Sequence, residues 1–162
     1  MTSPYHVIDE TLLTNLGFLL GKSAQIKDRL LDHYLAVEDI TSSQAKVLFT
    51  VFFLKNQRSS DISKALNVDS SAVTRMLDRL EKKELIQRMA DPDDRRSVFI
   101  ELTTKGHEIT SRALPLANEA IDKLTECLTP DEKQSLQHCL GKIVNFFHTE
   151  ECLLNNKKDA TC

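Results

Sequence analysis

The sequence predicts a mainly helical, α+β fold, and three observations carry that prediction. Along most of the 162 residues apolar side chains return at i, i+3, i+4 and i+7, the spacing of one helix face. Between residues 60 and 103 a short helix, a tight turn and a longer helix are followed by two segments that alternate apolar with polar, separated by the turn chemistry of Asp91-Pro92-Asp93-Asp94. With 41% hydrophobic residues, the chain has the length and apolar content of one globular domain with its own core.

From about Ile8 to Tyr34 the residues Leu12, Leu13, Leu16, Leu19, Leu20, Ile26, Leu30 and Leu31 form a wide apolar stripe, with Gly17 and Gly21 as weak points in one long helix. The stripe is wider than a small domain can cover, so part of it is assigned to a dimer interface. Thr41 and Gln44 read as a capping box, with Ile40 and Ala45 as a hydrophobic staple, and Val47, Leu48, Val51 and Phe52 carry a helix to about Lys55. Asn56-Gln57-Arg58-Ser59 is read as a loop. A short helix, capped by Ser59 or Ser60, buries Ile62, Ala65 and Leu66. Asn67 sits where a tight turn needs a residue tolerant of the left-handed region, and Asp69 caps the next helix.

That helix has two faces. Val73, Met76, Leu77 and Leu80 form the buried one. On the other, Ser71, Arg75, Arg79 and Lys82 stand one above another, hydroxyl and cationic groups suited to phosphates and the edges of guanines. Strands over Leu85 to Met89 and Ser97 to Leu102 then make a hairpin tipped by Arg95 and Arg96. Helix, turn, helix and basic-tipped hairpin together are a winged helix-turn-helix. Past it, a helix carries Ile109, Ala113, Leu116, Ala120 and Leu124, with Pro115 as a kink or break. Thr129-Pro130-Asp131-Glu132 starts the last helix, with Thr at the N-cap, Pro first and Glu at N3. Its face of Leu136, Leu140, Ile143, Val144 and Phe147 is paired with the N-terminal helix as a dimerisation layer, and the polar residues after Glu151 are read as frayed. The domain reading is an N-terminal dimerisation helix over 1–38, the DNA-binding unit over 39–104, C-terminal dimerisation helices over 105–150 and a tail over 151–162.

The segments TRMLDRLEKKELI, from Thr74 to Ile86, and DPDDRRSVFIELTTKG, from Asp91 to Gly106, resemble the signature of the MarR family of bacterial transcriptional regulators. The family's wing marker falls on Asp94, Arg96, Leu102 and Thr103, and the stretch from Asp39 to Leu48 is similar to its preceding helix. The resemblance implies a homodimeric, cytoplasmic repressor of the stress-response and antibiotic-resistance kind that binds a pseudo-palindromic double-stranded operator, with Arg96 reaching a minor groove. It also implies release by small aromatic or phenolic anions. A crevice lined by Ile86 and Leu77, with the Arg88 guanidinium and the Thr74 hydroxyl as donors, is the expected place for one. Lys82 replaces a cysteine that the resemblance would place at the end of the recognition helix.

Charge alone argues weakly for DNA. The net charge is −3, and from Arg75 to Arg96 seven basic residues face six acidic ones. A DNA face therefore has to come from folding, with Ser70, Ser71, Thr74, Arg75, Arg79, Arg95 and Arg96 on one side and Asp78, Glu81 and Glu84 elsewhere. The alternatives are a winged helix that binds protein, or a regulator controlled by oxidation of Cys127, Cys139, Cys152 or Cys162, of which Cys139 lies near an apolar face. Neither a signal peptide nor a membrane span is read. The pair His148 and Cys152, and His138 beside Cys139, fall short of a four-ligand zinc signature. No nucleophile and base are paired and no Gly-rich phosphate loop exists among 4 glycines, so neither an enzyme nor a cofactor is expected.

Overall fold

A computed structural model describes residues 10–55, 57–90 and 98–158, with side chains over 11–55, 57–90 and 98–147. The chain divides into two compact units, Met1–Leu124 and Thr125–Cys162.

The first unit begins with two helices where one was expected. α1 (Glu10–Leu13) ends in a turn, and α2 (Leu16–Leu35) restarts because the Asn15 side chain accepts a hydrogen bond from the Phe18 N–H. The break falls on this cap, ahead of the glycines read as weak points, since an Asn oxygen satisfies an orphan donor that a continuous helix would not have. A single 3-10 turn (Ala36–Glu38) and left-handed Asp39 lead into α3 (Ser42–Leu54). The Thr41 and Gln44 capping box is present with both hydrogen bonds, and Ile40 and Ala45 are buried beside it.

Residues read as a loop are a strand. β1 (Gln57–Arg58) lies antiparallel to β3 (Val98–Leu102), which also pairs with β2 (Ile86–Ala90), in the order β1-β3-β2. The register sets Gln57 opposite Ile100 and Arg58 opposite Phe99, and the Arg58 guanidinium lies 5.4 Å from the centre of the Phe99 ring. A two-residue strand has no period to detect, so cross-strand pairing alone defines it. Arg58 also corrects the cap of the next helix, α4 (Ser59–Leu66): neither Ser59 nor Ser60 takes that place, and the Arg58 N–H donates to Asp61 Oδ2 at 3.0 Å. Of the three residues expected to be buried in α4, Ile62 is in the core, Leu66 packs against it, and Ala65 is exposed.

α5 (Ser70–Lys82) follows, then β2, β3 and α6 (Thr104–Leu124). α6 runs through Pro115 without breaking, at the cost of the hydrogen bond that Ser111 would have accepted. One core joins these elements: Val47, Leu48 and Val51 of α3, Ile62 of α4, Val73, Leu77 and Leu80 of α5, Ile86 and Ile100 of the sheet, and Ala113 of α6. Arg112 of α6 forms a two-pronged pair with Glu38, at 2.8 and 2.9 Å, which holds the Glu38 carboxyl below its ordinary range.

The hairpin meets α6 through Thr103 and Gly106. Thr103 Oγ1 donates to the Glu84 carbonyl at 2.6 Å and accepts from the Gly106 N–H, while the Thr103 N–H donates to the Leu85 carbonyl. At Gly106 the backbone comes so close that an added Cβ would lie 1.9 Å from the Leu85 carbonyl oxygen. Leu102 and Thr103, read as marks of the wing, thus serve the packing of the core and the start of α6.

In the second unit, α7 starts at Pro130 with the expected cap: the Thr129 N–H donates to Glu132 Oε2 at 2.8 Å, and the Glu132 N–H to Thr129 Oγ1. The helix extends to Lys158, beyond Phe147, the last residue of the expected apolar face, and into the stretch read as a frayed tail.

The close approach at Gly106 gives a direct test. Gly106→Ala should lower unfolding stability by about 1 to 3 kcal/mol or more, since the methyl group meets backbone that has nowhere to move. The check is chemical denaturation of both chains; equal midpoints would show that the approach relaxes without strain.

Candidate nucleic-acid interface

The geometry is set by the turn between α4 and α5. Asn67 takes the left-handed conformation, φ 49° and ψ 48°, that ends α4. Ser63 of α4 reaches over the turn: its hydroxyl donates to the Val68 carbonyl at 2.6 Å, and its own carbonyl accepts from the Val68 N–H. Ser63 was not singled out from sequence, although a serine in the last turn of the first helix, five residues before the carbonyl it reaches, is the sort of local hydrogen-bonding residue that closes turns. Asp69 then caps α5, its Oδ1 accepting from the Ser71 N–H at 2.8 Å and the Ala72 N–H at 3.4 Å. Hydrogen bonds from Ser71, and then from the Ala72 backbone, hold its carboxyl below the ordinary value of 3.8.

With its start pinned, α5 buries Val73, Leu77 and Leu80 and half-buries Met76. Ser70, Ser71, Thr74, Arg75, Arg79 and Lys82 are all exposed. Thr74 spends its hydroxyl on the Ser70 carbonyl at 2.8 Å. Among the described residues no ion pair ties Arg75, Arg79 or Lys82 to an acid. The acids are engaged on other sides: Asp78 and Glu81 with Arg88, and Glu84 with Lys105 at 3.7 Å. Arg95, Arg96 and Asp94, with the rest of the hairpin tip, lie outside the described residues.

Arg88 is where the structure departs furthest from the ligand reading. Its guanidinium is held by two carboxylates, Nη2 on Asp78 Oδ1 at 2.7 Å and Nη1 on Glu81 Oε2. Leu77 and Ile86, the expected crevice walls, are each 1% exposed and belong to the core. The carboxylates were visible in the sequence; their approach to a strand ten residues away was not. Cys127 and Cys139 are exposed free thiols, so Cys139 does not lie buried against an apolar face, and the side chains of His148, Cys152 and Cys162 lie outside the described residues. Among the described residues no group of three or more His, Cys, Asp or Glu could hold a metal, and no helix is long and apolar enough to cross a membrane.

A MarR family profile matches residues 40–98. The chain is also 39% identical over 130 residues to the multiple antibiotic resistance protein MarR of Escherichia coli K12, covering 80% of this chain and 90% of that one. The chain belongs to the MarR family. Its fold superposes with a TM-score of 0.75 on a crystal structure of a cysteine-to-serine variant of E. coli MarR complexed with operator DNA, at 37% identity over 85% of this chain and 98% of that one. A second structural neighbour is BpsR of Bordetella bronchiseptica, at a TM-score of 0.74 and 25% identity over 88% and 98% of the two chains, whose structure concerns the regulation of its DNA binding by 6-hydroxynicotinic acid. Family members of this kind are transcriptional regulators rather than enzymes.

Proposed function

We propose that this protein is a cytoplasmic transcriptional repressor that binds a pseudo-palindromic operator as a homodimer. The observation that carries the reading is the outer face of α5, where Arg75, Arg79 and Lys82 are exposed and unpaired among the described residues while the neighbouring acids are engaged elsewhere. The MarR–operator complex supports it. Two copies of α5 related by a two-fold axis enter successive major grooves about 34 Å apart, with Ser70, Ser71, Thr74, Arg75 and Arg79 toward the DNA, Arg96 reaching the flanking minor groove and Arg95 beside it at the hairpin tip.

Arg75 reads a base edge, so Arg75→Ala should cost about 1 to 3 kcal/mol and relax sequence preference; Arg96 meets the backbone and minor groove, so Arg96→Ala should weaken all sequences alike and reduce the salt slope by about 1. Both are measured by gel shift and salt titration against DNA upstream of the protein's own gene. Wild-type affinity in both variants would overturn the assignment of this face.

The dimer rests on two exposed apolar faces. Leu12, Leu13, Leu16, Leu19, Leu20 and Ile26 line α1 and α2, and Leu136, Leu140, Ile143, Val144, Phe146 and Phe147 line α7, all at least 36% exposed in the single chain. Such faces are covered in solution by a partner, and a second copy satisfies the two-fold symmetry of the operator. Leu16→Glu combined with Leu140→Glu should leave each chain folded by circular dichroism yet monomeric by sedimentation, with operator affinity lost. A variant that sediments as a dimer and binds normally would move the interface elsewhere.

The effector is a small aromatic acid, a reading supported by the regulation of BpsR by 6-hydroxynicotinic acid. At Thr74 and Arg88 such an acid has to displace the Asp78 and Glu81 carboxylates, so its affinity is modest. Titrating salicylate-like acids into the protein–operator complex should lower affinity for DNA about tenfold, a coupling of about 1.4 kcal/mol, and Arg88→Ala should abolish the response. An undiminished response in Arg88→Ala would place the effector elsewhere.

A further inference from the structure

Arg88 stands two residues along β2 from Ile86, and the strand period of two sends both toward the same face. Ile86 is absorbed by the core. Arg88 lies past the core's edge and reaches α5 at Asp78 and Glu81, one helical turn apart. Asp78 comes three residues after Arg75 and four before Lys82, the two spacings at which helical ion pairs form. A rotation of about 100° per residue sets it roughly 60° from Arg75 around the helix axis. Its carboxylate therefore has a choice between Arg88 and the cations of the outer face, and it pairs with Arg88.

We propose that Arg88 is a charge guard for the DNA-binding face. By holding Asp78 and Glu81 it keeps two carboxylates from facing phosphate and leaves Arg75 and Lys82 without a competing intrahelical partner. The inference rests on the operator-binding reading and adds a positioning residue that itself touches no DNA. The planar guanidinium suits the task, because its fork engages two carboxylates at once where an ammonium is a single point charge. The pairs are partly exposed, with side-chain accessibilities of 34% for Arg88, 50% for Asp78 and 40% for Glu81. Pairs so exposed contribute little to stability. The role of Arg88 is therefore read in DNA affinity more than in melting temperature.

The experiment measures operator affinity across a salt series for the wild type, Arg88→Ala, the double variant Asp78→Asn/Glu81→Gln, and the triple combination, with thermal melting of each. Arg88→Ala should bind about tenfold more weakly near 0.1 M salt, with the deficit shrinking as salt screens the freed carboxylates. The double variant should bind as tightly as the wild type or more tightly, and the triple variant should return to within about twofold of the wild type although no ion pair remains. Arg88→Ala at wild-type affinity, or double and triple variants as weak as Arg88→Ala, would mean that the pairs act only by fastening α5 to the hairpin, and the guard is refuted. A wild-type chain that binds no DNA removes the operator-binding reading and the guard with it, an outcome distinct from a wild type and an Arg88→Ala variant that bind equally well.

Discussion

The structure depends on the burial of one side of α5. Val73, Leu77 and Leu80 are no more than 1% exposed, and each such side chain withdrawn from water is worth about 1.5 to 3 kcal/mol. Because these three side chains meet α3, α4 and the sheet in one core, the rotation of α5 about its own axis is set by packing. The outer face then has no freedom of its own. Ser71, Arg75, Arg79 and Lys82 are turned outward because each has a neighbour two residues away, Val73, Leu77 or Leu80, that is turned inward, and the cap at Asp69 with the Ser63 bridge fixes where the helix starts.

A net charge of −3 conceals how the charges are placed. From α5 into the hairpin nearly equal numbers of acids and bases alternate along the chain. Among the described residues the acids of this stretch are engaged by cations that the DNA reading does not use: Arg88 of β2 takes Asp78 and Glu81, and Lys105 of α6 lies near Glu84. Coulomb attraction between exposed partners is weak in water and adds little to stability. It is enough to decide which side of a helix is electropositive, and a polyanion senses that local field rather than the sum over the molecule.

The terminal helices show the complementary case, apolar surface without cover. α2 buries Leu35 within its own unit yet exposes Leu16, Leu19, Leu20 and Ile26, and α7 exposes a run from Leu136 to Phe147. Water makes such faces costly, which is why they are read as places where two chains meet.

Much of this was legible in the sequence because it is encoded locally. The Thr41 and Thr129 capping boxes, the left-handed Asn67, the Asp69 cap, the buried row of α5 and both long strands follow from periodicity and from side chains acting within four residues of their own backbone, where few conformations compete. The break at Asn15 was also local, but a cap inside an apolar helix is masked by the stronger periodic signal. What escaped was nonlocal. The strand at Gln57–Arg58 exists only because β3 offers it an edge; Gly106 is required only because Leu85 passes within reach of its Cα; Arg88 is engaged only because alternation along a strand and rotation about a helix bring it to Asp78 and Glu81. The sequence by itself determined the long helices and both longer strands, the face of α5 that is buried and the family to which the chain belongs. Tertiary structure alone decided which charges remain free on the outer face, because ion-pair partners are chosen by distance in space, and residues far apart in the chain come within that distance only after the core has closed.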